Sequence, residues 1–238
     1  MTRTWAIATR EYASFFRTPL GWIVAALFLF LSGLVFAQQT LRPGEPASLR
    51  SFFGVWWSML VFIAPSISMR LFAEELRTGT IEPLMSAPVS EAGLATGKFA
   101  GALMFLMTCL APTLIYAGVL EALSRPDYGP IAAGYLGVVL LGMMYLSVGL
   151  LFSSLTSSQT LAFMLTLFVL ILSEVGATAA AARLDEPWAG IARSLSVQPR
   201  IADFARGIID TGHVSFFLIM SAFFILSTAL ALRVRRWR

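Results

Sequence analysis

YGPIAAGYLGVVLLGMMYLSVGLLFSSLTSSQTLAFMLTLFVLILS, residues Tyr128–Ser173, runs for 46 residues without a charged side chain. As one helix at about 1.5 Å per residue it would reach about 69 Å, roughly twice the ~30 Å hydrocarbon core of a bilayer. The segment must therefore turn once. The polar stretch Ser153-Ser-Leu-Thr-Ser-Ser-Gln-Thr160 is the place that offers a turn.

Working outward, the chain repeats this pattern. Thr18–Leu41, Ser51–Met69, Phe99–Leu120 and Val214–Leu232 are also free of charge. Only 13% of the 238 residues are charged and the mean hydropathy is +0.79, against about 25% charged in soluble domains. A water-soluble core could not use so much apolar surface. These runs do not alternate as the strands of a transmembrane barrel would. The expected fold is an all-α polytopic membrane protein, one transmembrane domain over residues 1–238. Its six spans fall near 20–41, 51–70, 97–120, 130–152, 160–182 and 213–233. The first run is longer than the ~7–15 apolar residues of a signal peptide, so Val35-Phe36-Ala37 is not read as a cleavage site. Cys109 stands alone inside a run and is read as a small buried apolar residue.

Six spans place both termini on one side. With that side cytoplasmic, ten Lys and Arg lie inside and seven outside; the dense Arg233-Val-Arg-Arg-Trp-Arg238 adds to the bias. Termini inside is the expected topology. The basic balance reads as topology and lipid contact. Nucleic acid is not an expected partner, because no basic soluble face exists.

Before the first span, Trp5, Ala8, Tyr12 and Phe15 recur at helical spacing beside Arg3, Arg10 and Arg17. This suits a helix lying at the membrane interface. Between spans five and six, Pro199–Asp210 places Ile201, Phe204 and Ile208 on one face, predicting an outer amphipathic helix. Gly93, Gly97 and Gly101 form a small-residue ladder that lets backbones approach closely. Pro65 and Pro112 are expected to kink their spans.

The chemistry of a catalyst is missing from the sequence. Gly93-Leu-Ala-Thr-Gly97-Lys98-Phe99 is too short for a P-loop and lacks its hydroxyl. There is no His-Glu-x-x-His and no Gly-x-Ser-x-Gly, and His213 is the single histidine. No catalytic residue, no metal site and no nucleotide hydrolysis are expected of this chain, and no intramembrane protease or acyltransferase. Glu174, in Leu172-Ser-Glu-Val-Gly176, is the acid nearest to being intramembrane. It either marks the outer edge of the fifth span or faces an internal cavity as a pathway residue.

Charge gathers instead in one connector, Arg70-LFAEELRTGTIEPLMSAPVSEAGLATG-Lys98. Glu74, Glu75, Arg77 and Glu82 follow the second span directly, Gly79 and Pro83 interrupt helix, and Ser90 can cap the helix of the third span. A linker facing only headgroups would favour Lys and Arg, whereas this one carries more acid than base. It reads as a short helix-turn-helix built for a protein partner.

The connector resembles that of the type-2 ABC exporter permeases, and closely their gliding-motility-type branch. The residues that carry the resemblance are Glu74, Glu75, Gly79, Thr80, Glu82, Leu84, Pro88, Val89 and Ser90, followed by Gly97-Lys98-Phe99. Thr18-Pro-Leu-Gly21 and Phe204-Ala-Arg-Gly-Ile-Ile-Asp210 look like the same branch. Pro83 departs from the pattern, as does Glu174. The resemblance implies a permease subunit of an ATP-driven exporter in a bacterial plasma (inner) membrane. It implies a partner dimer of cytoplasmic ABC ATPases, holding the ATP and Mg, and a second permease protomer, the same or related. Glu74, Glu75, Arg77, Gly79, Thr80 and Glu82 would then form the ATPase-coupling helix. The alternative use of such a fold is mechanical, a membrane subunit that transmits force to envelope proteins without exporting cargo.

Overall fold

The computed structural model describes residues 2–40, 48–81, 83, 89–123, 126–183, 185–186 and 188–236. It is 88% helical, and no strand occurs among the described residues. Among the described residues six helices are long and apolar enough to cross a membrane: Pro19–Gln39, Arg50–Thr78, Glu91–Leu123, Tyr128–Leu155, Gln159–Gly176 and Thr211–Arg235. The protein is an all-α polytopic membrane protein.

In chain order the elements are α1 (Thr2–Arg17), α2 (Pro19–Gln39), α3 (Arg50–Ser68), α4 (Ala73–Thr78) and α5 (Glu91–Leu110). A 3₁₀ turn (Ala111–Leu114) links α5 to α6 (Ile115–Leu123). Then come α7 (Tyr128–Leu155), α8 (Gln159–Arg183), α9 (Trp188–Leu195), α10 (Gln198–Ala205) and α11 (Thr211–Arg236). The uncharged stretch does turn once, with Thr156 in extended backbone between α7 and α8. Thr156 Oγ1 and Ser158 Oγ accept hydrogen bonds from Ser158 N and Leu161 N, which supplies partners to the donors at the start of α8.

Helix α7 is the central post and packs against α3, α5, α8, α10 and α11. Where neighbours press closest it carries glycine. A Cβ at Gly149 would stand 1.8 Å from Ser68 Oγ, and one at Gly142 would stand 2.4 Å from Leu106. Lipid cannot supply a hydrophobic force between apolar helices, so such close approach and its dispersion contacts hold them together. Phe30, Phe168, Ile219 and Phe223 point away from the bundle, as side chains in contact with lipid do.

Pro65 lies inside the continuous helix α3, and Pro112 lies in one turn of 3₁₀ geometry in the third span. Other details differ from the expected pattern. Trp5 is 61% exposed, and the packed face of α1 is instead Ile7, Ala8, Glu11 and Phe15. Spacing alone allowed either face. The outer amphipathic helix ends early, at Ala205, because Gly207 takes a left-handed φ of 89°. Ile208 consequently leaves the Ile201–Phe204 face and is exposed. Helix α9 precedes α10 and was not foreseen. The first loop (Arg42–Pro46), Glu82 and the last two residues lie outside the described residues.

Candidate functional site

The connector is built from both flanking spans. Helix α4 begins as the second span ends, and Ser153 at the last turn of α7 caps it. Ser153 Oγ accepts from Phe72 N at 2.9 Å and Ala73 N at 3.0 Å, and donates to Met69 O at 3.0 Å. A hydroxyl of the supposed turn sequence thus serves as a capping group for a helix eighty residues earlier. Gly79 closes α4 with φ 72°, a left-handed conformation that glycine adopts without cost. Farther along the connector, Ser90 Oγ accepts from Gly93 N at 3.1 Å and starts α5, as its residue type implies.

The two adjacent glutamates of the connector have opposite surroundings. The Glu74 side chain is 42% exposed and lies 3.8 Å from Arg70. Glu75 turns inward at 17% exposure, where its Oε1 meets Lys98 Nζ at 2.9 Å and Arg10 at 3.3 Å. Lys98, only 1% exposed, also meets Glu11 Oε2 of α1 at 2.9 Å and donates to Leu71 O. Its three donors thus find three acceptors, Glu11 on α1 and Leu71 and Glu75 at the connector end of the second span. A buried ammonium would be costly without such partners. Arg70, likewise buried, donates to Thr18 Oγ1 at 2.6 Å and to Ser14 of α1, and stacks over Phe15.

In the sequence Lys98 and Arg70 read as inside charges at the two ends of the connector, and nothing there points to Glu11. The available signal was a lysine eight residues into an apolar helix, with no acid near enough in the chain to pair with it. The glycine ladder explains how α1 reaches it. A Cβ at Gly97 would stand 3.0 Å from Thr4 O, and one at Gly101 would stand 2.8 Å from Ala8 O. The absent side chains let α1 lie directly on α5 and carry Glu11 to Lys98.

Of the expected coupling residues, Arg77, Gly79 and Thr80 are exposed, Glu74 is part-exposed beside Arg70, Glu75 is turned inward, and Glu82 lies outside the described residues. Glu174 sits elsewhere. It is buried on α8, where Tyr145 Oη of α7 donates to its Oε1. Among the described residues no group of His, Cys, Asp and Glu side chains is arranged to hold a metal.

A bundle of six apolar helices with a polar connector, pinned by charge at one end, defines a polytopic membrane subunit with one built end-face. The family model for ABC-2 family transporter proteins matches residues 5–234, nearly the whole chain. The chain belongs to the ABC-2 transporter family and is an ABC permease subunit. No match was found among curated proteins.

Proposed function

We propose that this permease subunit works in an ATP-driven exporter of the gliding-motility-type branch, and that residues 73–90 form its coupling element. The termini and the connector lie in the cytoplasm of a bacterial cell, where a separate ATPase dimer carries ATP and Mg. Two permease protomers, identical or related, complete the transporter. The exposed Arg77, Gly79 and Thr80 meet the ATPase, together with Glu74 and with Glu82 of the same motif. Glu75 faces the other way and braces the element. Glu174 is a polar post of the transport route.

The observation that carries this reading is Lys98 Nζ at 2.9 Å from both Glu11 and Glu75. A docking element that passes a push from an ATPase into the membrane must be stiff where it joins the spans. One buried ammonium ties the connector, α1 and α5 into a single unit. Among the described residues Arg10 and Arg70 add two more links between α1 and the connector end of the second span. ATP-driven closure of the ATPase dimer then moves the inner ends of spans two and three together.

The test is copurification of the ATPase, with transport-linked hydrolysis, for Glu74→Arg with Glu82→Arg. Arg125→Glu serves as the control on the other side. A rim charge alters association and a buried one costs about 2–5 kcal/mol when unpaired. Loss of ATPase from the connector variant alone supports the assignment. Unchanged copurification and hydrolysis would remove it.

A further inference from the structure

We propose that the cleft between α1 and α4 holds the headgroup of phosphatidylethanolamine, with its phosphate on Arg17 and Arg10 and its ammonium on Glu74. The cleft has a volume of about 390 Å³, inside the ~300–1,000 Å³ range of small-molecule sites. Charges of both signs line it: Arg10, Arg17 and Arg70 beside Glu11, Glu74 and Glu75, with Lys98 among them. The hydroxyl groups of Ser14, Thr18, Thr78 and Thr80 fill the space between.

Pairing inside the cleft decides which charges are left for a ligand. Lys98, fully buried, takes up Glu11 and Glu75. Arg70 is buried too, and Ser14 and Thr18 hold it. Arg17 is exposed, and among the described residues no hydrogen bond or ion pair engages it. Arg10 is exposed as well, with one contact to Glu75 at 3.3 Å. Glu74 is part-exposed, and its ion pair with Arg70 is stretched to 3.8 Å. The accessible rim therefore offers two guanidinium groups and one carboxylate.

The rim also lies at the level of lipid headgroups. Arg17 and Thr18 directly precede Pro19, the first residue of the first span. Trp22 follows one turn later and is exposed, as are Ile23 and Leu27 beyond it. Tryptophan gathers at the membrane–water boundary, and an exposed apolar strip below it faces acyl chains. A lipid on that strip carries its phosphate to the height of Arg17. Phosphate oxygens suit a guanidinium. A purely anionic headgroup would leave Glu74 facing a like charge. A primary ammonium donates hydrogen bonds to that carboxylate, whereas the quaternary ammonium of choline has no N–H to give. Free ethanolamine phosphate shares this chemistry, but only the lipid also uses the strip on α2. Glu74 belongs to the proposed docking face too, so the test is made with no ATPase present, and its outcome is independent of docking.

The experiment titrates the full chain in detergent with phosphatidylethanolamine, phosphatidylcholine and phosphatidylglycerol of identical acyl chains, and counts bound lipid by native mass spectrometry. Phosphatidylethanolamine is expected to bind about tenfold more tightly than either, the ratio that one charge-assisted hydrogen bond implies. Glu74→Gln should bring it down to the level of phosphatidylcholine. Arg17→Gln should weaken both lipids alike, and Arg17→Lys should restore part of the loss. Arg233→Gln, at an exposed cation outside the cleft, should change nothing. Phosphatidylethanolamine should also slow hydrogen exchange at residues 10–18 and 71–80, which locates the site without any variant. Equal binding of the three lipids, or slowing confined to other segments, overturns the proposal. Tighter binding of phosphatidylglycerol does so too, since it marks a plain cation site. Displacement of the lipid by an equal concentration of free ethanolamine phosphate overturns the lipid as occupant.

Discussion

Lys98 and Glu75 stand 23 positions apart in the chain and meet at 2.9 Å inside the protein. The contact joins the last residues of the second span to the first turns of the third, across a connector that the sequence shows only as a run of charge. Glu11 completes it from α1 at the same distance. The polar end of the bundle is therefore organised around one ammonium group.

Lys98→Met removes that group, leaving the buried Glu11 carboxylate without its cation and Glu75 with Arg10 alone. Breaking a buried ion pair from one side costs about 3–5 kcal/mol, so a large fall in thermal stability in detergent is expected. Adding Glu11→Gln and Glu75→Gln removes the orphan charges and should restore much of the stability. Coupling of ATP hydrolysis to transport should stay impaired in the triple variant, because the rigid tie is gone. A triple variant with normal coupling would separate the lysine from transmission.

Gly97→Val tests the track on which α1 lies. Its Cβ would stand 3.0 Å from Thr4 O and 2.9 Å from Ile7, leaving α1 to shift. Overpacking of this kind costs about 1–3 kcal/mol. Gly118→Ala is the control, since nothing lies within 4 Å of its Cβ. Disulfide cross-linking between cysteines placed at Thr4 and Gly93 should fall in the first variant and persist in the second.

Ser153→Ala leaves the amides of Phe72 and Ala73 without their acceptor. Loss of a helix cap costs about 0.5–2 kcal/mol, and the effect should be local. Hydrogen exchange at these two amides should quicken by about tenfold or more, the ratio that ~1.4 kcal/mol represents. Amides in the middle of α7 should keep their protection. Slow exchange at residues 72–73 in the variant would rule out Ser153 as the cap.

Topology is tested by reporter fusions after residue 45 and after residue 238. Opposite sides are expected, with the C-terminal reporter cytoplasmic, from the arginine distribution and six spans. Reporters on the same side would overturn the six-span reading.

What the sequence determined was the number of spans and many of the helix ends, features that depend on one segment at a time. The 46-residue uncharged run dictated two spans and one turn, because a bilayer has a fixed thickness and each backbone needs its own hydrogen bonds. Gly79 and Ser90 announced a helix end and a helix start through their own backbone chemistry, whereas Pro112 announced only a break in its span, which the fold makes as a 3₁₀ turn. Pairing between segments was not legible in this way. Glu74 and Glu75 are the same residue type in the same short helix, and only the approach of α1 and α5 separates an exposed acid from a buried one. Helical spacing allowed Trp5 on the packed face of α1, and the bare backbone of Gly97 and Gly101 decided for Ile7, Ala8 and Glu11. The sequence left Glu174 open between the outer edge of its span and an internal cavity, and the fold adds its buried hydrogen bond from Tyr145 on the preceding helix. Local hydrogen bonding and length are written along the chain, whereas the partner of a charge depends on which faces can approach closely enough in three dimensions.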